Sequence, residues 1–558
     1  MSNVQCLLFN NQRLCYLCVM LTLLVCVDSF GQGKPLNPSR NTGPKSVVKL
    51  IQADSLVGIN NELTVIRFYG NVIFKHRGAT LYCNTAVQNS TSNLIEAYGR
   101  VKINQGDTLT ITGDTLYYDG NNRFARVLGK KVVLTDDAVT VTSRRMNYDL
   151  NVSEAFYNTR GTIRQDSSVL KSDQGTYNTQ TKLFHYEGNV TINNPKYDLK
   201  TEKLDYDSNT KIATFLTETE VVSKDGTVNA SSGTYNLETE QTNFQGRSTL
   251  VNDDYTLVAD TLLFNQGTDS GLAIGRVEFT SKKDNLSING DRIVRDGATG
   301  LTLVTGNSIL KNFEKSDTLY MAADTMYAYE YLNSELPIDT VKSDSVKSQK
   351  KLKLLIADGN VKLFRMDFQS LTDSLRYDMK DSTITFFQKP ILWSNENQLL
   401  ADTIVAYLRN DKIKNLYLKS SSFVISKDTA QNFNQIKGRQ IQALFDDSTA
   451  IEKVYVDGNG ESIYFAVDEK NKLIGLNRVI CSKMALSFNQ NKVQKIVFMG
   501  SPESKLIPPG EVGGSDVKLS SFAWRISEKP SKESIIGSNI VKLDVKEPEI
   551  TVEKTTVE

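Results

Sequence analysis

The residues best equipped for chemistry in this chain of 558 residues are aspartates that come in series. Asp54, Asp114, Asp173, Asp260, Asp291, Asp324, Asp373 and Asp402 stand in similar local phrases. Carboxylates brought together can exchange protons or hold a cation. An active site occurs once in a chain, whereas these residues recur because the phrase around them recurs. That marks them as turn-adjacent or strand-start residues. Asp205-Tyr206-Asp207-Ser208-Asn209 imitates the opening of a calcium loop, but Thr210 stands where the sharp-turn glycine is needed and Leu216 where the bidentate glutamate is needed. The two histidines, His76 and His185, each lie beside a glycine phrase without cysteine or acid at metal-ligand spacing, and read as solvated strand residues. Cys83 and Cys481 are 398 positions apart, which suits two separate buried small residues rather than a disulfide or a metal cluster. No phosphate-binding glycine loop, nucleophile elbow or metalloprotease helix is present in the sequence. The residues therefore predict a protein that is not an enzyme and uses no cofactor or metal.

Charge narrows the partners. Lys and Arg number 65 against 64 Asp and Glu, and phosphate backbones require a marked basic surplus, so nucleic acid is not expected. Residues 14–27 form an apolar run preceded by Arg13 and followed by Ser29-Phe30-Gly31-Gln32. The run is short for a membrane span and reads as a secretory signal over residues 1–31, with cleavage after Gly31. Cys6, Cys15, Cys18 and Cys26 would leave with it. Cys26 is not read as a lipid attachment site, since Val25 replaces the small residue that such a site requires.

What must position any site is a repeat. One phrase, Gly-Asn/Arg-Val-x-apolar, occurs at Gly70-Asn71-Val72, Gly99-Arg100-Val101, Gly188-Asn189-Val190, Gly275-Arg276-Val277 and Gly359-Asn360-Val361, with weaker copies at Gly129, Gly161, Gly246, Gly306 and Gly458. The first intervals are 29, 30, 32 and 27 residues, a period of about thirty that marks repeat architecture. Between these lie copies of Asp-x-Leu-x-Tyr, as in Asp114-Thr115-Leu116-Tyr117-Tyr118 and Lys203-Leu204-Asp205-Tyr206. Both phrases alternate with period two, which predicts strands, and Asp119-Gly120-Asn121-Asn122, Gln105-Gly106-Asp107 and Asp207-Ser208-Asn209 supply the turns. The unit is strand, turn, strand, turn, and the fold class is all-β.

Alternation gathers one continuous apolar face: Val72, Phe74, Val101, Ile103, Leu116, Tyr118, Val190, Ile192, Leu204, Tyr206, Leu262, Phe264, Val277 and Phe279. Two curved sheets that close over this face make it an ordinary core; sheets that stay parted make it an open apolar trough. The repeats fill residues 47–330 and resume over 354–500, separated by a charged flexible insertion at 331–353 that is a soft module boundary. Residues 501–558, which begin with Pro502, Pro508-Pro509-Gly510 and Gly513-Gly514, read as an irregular and largely disordered tail with one aromatic patch at Phe522-Ala523-Trp524.

The two alternating phrases behind a signal segment resemble the OstA-like family of periplasmic lipopolysaccharide-transport proteins, the LptA type, over residues 47–500. The resemblance implies a β-jellyroll, here one or two modules long, with acyl chains inside. It implies binding of lipopolysaccharide or a related glycolipid, and a periplasmic place bridging inner and outer membranes. It also implies edge-strand pairing with other transport proteins, and allows head-to-tail self-association. The chain is longer than the usual member, and its C-terminus lacks the aromatic ending of an outer-membrane barrel. Two other readings of the repeat are a surface-exposed adhesive or structural protein and a β-helix enzyme acting on polysaccharide.

Overall fold

Nearly every alternating segment forms an antiparallel strand paired with the strand next to it in the chain. The computed structural model describes residues 46–331 and 352–537, apart from 60–63, 138, 166, 225, 266, 283–284, 314–316, 411, 469–471 and 490–491. The signal segment at 1–31, most of the insertion at 331–353 and the end of the tail at 538–558 lie outside the described residues. The chain falls into two compact units. One holds the chain up to Asp137 with Arg144–Ala155, the other Ala138–Ser143 with the chain from Phe156 onward. The insertion does not interrupt the ladder, because Thr318–Tyr331 pairs directly with Leu352–Arg365 and Tyr331 stands opposite Leu352.

In the first unit, Val65–His76, Ala79–Asn89, Leu94–Gln105, Leu109–Asp119 and Phe124–Asp136 follow one another as a meander. The glycine phrase breaks each strand that carries it in the middle. Gly70 and Asn71 have φ of 73° and 45°, and the register jumps from Tyr69 opposite Thr85 to Val72 opposite Cys83. Two residues thus face one, a bulge that bends the strand. The bend is sharp, since the rings of Phe68 and Phe74 have centroids 5.5 Å apart, whereas six residues of straight strand span about 20 Å. Each long strand is therefore two arms, and the residues between the arms form the core.

The serial aspartates belong to these corners. Asn71 Nδ2 donates to Asp54 Oδ2 at 3.1 Å, and a Cβ on Gly70 would lie 2.1 Å from that oxygen. In the second unit Asn189 serves Asp173 at 2.6 Å, Asn307 serves Asp291 at 2.9 Å and Asn360 serves Asp324 at 2.8 Å, while Arg276 holds Asp260 through two nitrogens. The two sequence phrases are the two halves of one corner: the aspartate on one strand receives the bulge of a neighbouring strand.

Turns are stacked as well. Asp119 Oδ1 accepts from the backbone N–H groups of Asn121 and Asn122, while Asn121 Nδ2 donates to Ser92 O, 29 residues earlier. The calcium-loop imitation at Asp207 is the same device, with Asn209 donating to Thr181 O at 3.0 Å.

The second unit contains bulged strands, such as Gln241–Val251 through Leu301–Phe313, and stretches where the corner is broken into separate short strands. The breaks fall at Gly161–Gln165 to Gln174–Asn178, at Ile212–Phe215 to Ser232–Asn236 and at Thr383–Phe387 to Thr403–Arg409. Residues 503–537 of the expected irregular tail are built into this unit. Glu503–Ile507 pairs with Leu473–Asn489, and the chain then crosses the sheet through short 3-10 turns to a capped helix at Lys532–Ile536. The physical reason lies in the outer face of the last repeats. One cross-strand row reads Thr280, Ser287, Lys311 and then changes to Tyr320, Phe364, Gln369, Trp393, Gln398, Ile425, Gln435, Ile463. A sheet face of that composition needs a cover. Leu519, Phe522 and Trp524 supply it, packed with Phe423, Ile425 and Ile463 in a cluster of their own.

Candidate functional site

The fourteen predicted face residues do not share one environment. In the first unit Val72, Phe74, Val101, Ile103, Leu116 and Tyr118 are at most 1 % exposed, and with Leu81, Ile95, Ile111 and Leu134 they make a closed core. His76, expected in solvent, is buried there at 3 % exposure. Its Nδ1 lies 2.7 Å from the Tyr118 hydroxyl and its Nε2 2.6 Å from Ser46 Oγ. It continues the inward alternation Val72, Phe74, His76, so the ring closes the core instead of facing water; burial lowers its pKa below the ordinary histidine value. His185 is exposed and paired with Asp205. Cys83 and Cys481 are separate, buried and free, and burial pushes the Cys83 thiol up to about 11.

In the second unit Val190, Leu204, Leu262 and Val277 are buried, Phe279 is half-buried against Tyr255, and Phe264 is 37 % exposed. Here the arms part. A small cleft of about 70 Å³, partly open to solvent, is lined from one arm by Tyr186, Leu204, Tyr206, Ala213, Phe215, Tyr235 and Leu237. Ile163, Gln165, Ser168, Leu170, Ile192, Tyr197 and Leu199 line it from the other. Ile192, Leu204 and Tyr206 are thus brought together, and the other eleven predicted residues lie elsewhere in the apolar interior or at its margin.

The cleft coincides with the broken corners, and a sequence signal marks it. Where the Asp phrase normally carries an inward leucine, such as Leu116, the copies here read Asp173-Gln174-Gly175-Thr176-Tyr177 and Ser231-Ser232-Gly233-Thr234-Tyr235. Aromatic side chains take the place of the missing leucines. A Cβ on Gly175 would lie 2.4 Å from the Tyr157 hydroxyl, and Tyr177 stacks on Phe184 at 4.1 Å. Tyr197 meets Tyr235 edge to face at 5.6 Å across the cleft lining. Sequence reasoning missed Tyr186, Tyr197, Phe215 and Tyr235; the repeated Gly-Thr-Tyr-Asn phrase at Gly175 and Gly233 is the sign that would have found the place.

Burial raises the pKa of the Tyr186, Tyr197 and Tyr235 phenols, so they remain neutral. With Gln165 and Ser168 they give an apolar lining a few uncharged hydrogen-bonding groups. Charge stands beside the lining: Lys196 Nζ, next to Tyr197 in the chain, bonds Glu240 Oε1 at 2.5 Å. No group of histidine, cysteine and acidic side chains among the described residues has the arrangement of a metal site. No helix among them is long and apolar enough to cross a membrane.

Comparison with known proteins finds two similarities. Residues 45–202 and 198–260 match the model of the family described as OstA-like protein. Among solved structures, the chain is similar to "LptH, the LptA homologous periplasmic component of the conserved lipopolysaccharide transport device from Pseudomonas aeruginosa". The two share 14% sequence identity with a TM-score of 0.19, over 20% of this chain and 82% of that one. No curated protein matches the chain in sequence. The matched stretch, residues 45–260, contains the cleft and the corners at Gly70 and Gly188.

Proposed function

We propose, taking the OstA-like character of residues 45–260 as the premise, that this protein is a non-enzymatic carrier of lipopolysaccharide or a related glycolipid. Acyl chains enter between the arms of the second unit at the cleft around Leu204 and Tyr206. The observation that carries the reading is an uncharged, tyrosine-rich apolar cleft opening between arms whose counterparts in the first unit are packed shut. Each methylene removed from water contributes about 0.8 kcal/mol, so several acyl chains gain strongly from such a lining. Neutral phenols hold a chain without trapping a charge. Lys196, paired with Glu240 beside the lining, is placed to exchange its carboxylate for a phosphate of the headgroup. The carrier works in the periplasm, exported by the segment at 1–31, as part of a bridge between the membranes.

The N-terminal edge of the first unit is the docking element of that bridge. Lys49–Gln52 and Ser55–Gly58 both pair with Val65–His76, and Ile51, Leu56 and Val57 are 59%, 58% and 55% exposed. An unprotected apolar edge accepts a further strand.

Photo-crosslinking tests the lipid site. A photoreactive residue in place of Tyr206 or Ile192 is expected to capture lipopolysaccharide in cells, whereas one in place of Phe74 or Lys203 is not. Equal capture at Tyr206 and Lys203, or capture at neither Tyr206 nor Ile192, refutes the cleft as the lipid site.

A further inference from the structure

The segment that covers the outer row docks by a repeated contact. Gln435 is fully buried; its Nε2 donates to Val517 O at 2.8 Å and its Oε1 accepts from Leu519 N at 2.9 Å. Gln398, also fully buried, does the same six residues further on, donating to Ala523 O at 2.7 Å and accepting from Arg525 N at 2.7 Å. Each glutamine therefore copies a β-bridge, reading the carbonyl of one residue and the N–H of the residue two later. Between these contacts the chain makes one tight turn, always at the same step. Asp516 N bonds Gly513 O, Phe522 N bonds Leu519 O, and Glu528 N bonds Arg525 O. The segment is a hexad repeat laid across the strands.

The sheet beneath repeats in the same measure. Gln435 and Gln398 are two strands apart in one row, both opposite Ile425. A third glutamine, Gln369, lies two further strands along, with Trp393 between it and Gln398. The hexad register assigns to it Lys529 O and Ser531 N. The path requires the same passage, because the segment is at Gln398 by residue 525, while Lys532 stands over Tyr320 of the same row, its Nζ 5.1 Å from the ring centroid. Yet this rung is not made. Gln369 is 3% exposed, its Nε2 donates back to Arg365 O and Met366 O, and its Oε1 accepts no hydrogen bond from the protein. Trp393 Nε1 beside it is buried and equally without a partner. The N–H of Ser531 is taken by Ser534 Oγ, in the capping box of the helix Lys532–Ile536.

We propose that residues 513–536 are a strap with two closed rungs and a third poised to close at Gln369. Closing it moves the Ser531 N–H from Ser534 Oγ to Gln369 Oε1 and turns Gln369 Nε2 from Arg365 and Met366 to Lys529 O. Pro530, in the middle of this rung, has no N–H to lose by the exchange. The rung acts on the carrier's interior, because Ser370 and Leu392, next to Gln369 and Trp393 in sequence, lie on the opposite, inward face, where Leu392 belongs to the core between the arms. A closed strap stiffens that arm; an open rung leaves it free to move. The glutamines choose between these states, and the helix cap is the competitor.

Amide hydrogen exchange of the full mature protein tests the strap. Ser534→Ala removes the competing acceptor, so exchange of the Ser531 amide is expected to slow by about fivefold, the factor for about 1 kcal/mol of net hydrogen bonding. Adding Gln369→Leu to Ser534→Ala should abolish the slowing, while protection of Leu519 and Arg525 stays unchanged and shows that the other rungs are intact. If Ser531 exchanges faster in Ser534→Ala and Gln369→Leu makes no further difference, the residue only caps the helix and the third rung does not exist. Gln398→Leu is the internal standard, expected to release Arg525 in the native protein.

Discussion

The corner at Gly306 allows the logic of the repeat to be tested by a thermodynamic cycle. Gly306 has φ of 72°, and an added Cβ would lie 2.6 Å from Asp291 Oδ2, an oxygen that accepts from Asn307 Nδ2 at 2.9 Å. Gly306→Ala therefore does two things. It places a side chain in the left-handed region, at a cost of about 1–2 kcal/mol. It also forces the Asp291 carboxylate aside, losing a hydrogen bond worth about 1 kcal/mol. The expected loss is about 2–3 kcal/mol. Asp291→Ala alone removes only the bond, about 1 kcal/mol. In the double variant no carboxylate remains to displace, so the total should fall short of the sum of the singles by about 1 kcal/mol. Because a repeat array does not unfold in one step, the assay is local. It measures native-state hydrogen exchange of the amides of Leu301–Phe313 and their partners in Leu286–Asp296 as a function of urea. Strict additivity would falsify the claim that the glycine and the aspartate are one corner. So would a Gly306→Ala variant as stable as the parent.

Two further outcomes are expected. The pKa of His76 is lowered in the folded protein by burial, so its share of stability is complete above the unfolded value of 6.5 and is lost as pH falls below it toward the folded value. His76→Gln should flatten the pH dependence of exchange in the first unit between pH 7 and pH 5, and an unchanged slope would remove His76 as its source. Leu50→Pro takes an N–H from the exposed N-terminal edge and should weaken partner binding on the order of tenfold, about 1.4 kcal/mol. Exchange of Ile103 and Leu116 should be unaffected, and unchanged affinity means that assembly uses another surface.

Period two and the spaced glycines made the class of fold legible, because a strand buried on one face leaves its alternation in the sequence. The corner was half legible. The glycines announced a bulge, but that Asp291 belongs to Gly306 depends on register between strands, which no single phrase contains. The closed and open parts of the interior were not legible from Val72, Phe74 or Tyr206 themselves, since an inward residue reads the same whether the arms meet or part. The difference lay in what was missing, a glycine where Leu116 has its counterpart. The strap was missed for another reason. Phe423-Val424-Ile425 and Ile463-Tyr464-Phe465 abandon alternation, which signals strands covered on both faces, whereas the covering segment has no periodicity of its own until its hexads meet Gln435 and Gln398. His76 was legible, since it continues the inward places of Val72 and Phe74; its polar type hid this, and its partner Tyr118 lies 42 residues away.

The meander with its stacked turns makes the chain a ruler. Each thirty-residue unit contributes two strands, so the protected interior within a unit of the fold grows by about 9.5 Å for every repeat added. Neighbouring repeats are joined by interchangeable parts, the Asn121-to-Ser92 and Asn209-to-Thr181 bonds and the aspartate corners. A duplication of one unit therefore meets compatible surfaces on both sides and can be inherited without redesign. Span, in such a molecule, is a quantity that gene length can tune in steps, and the distance a carrier reaches becomes a matter of counting.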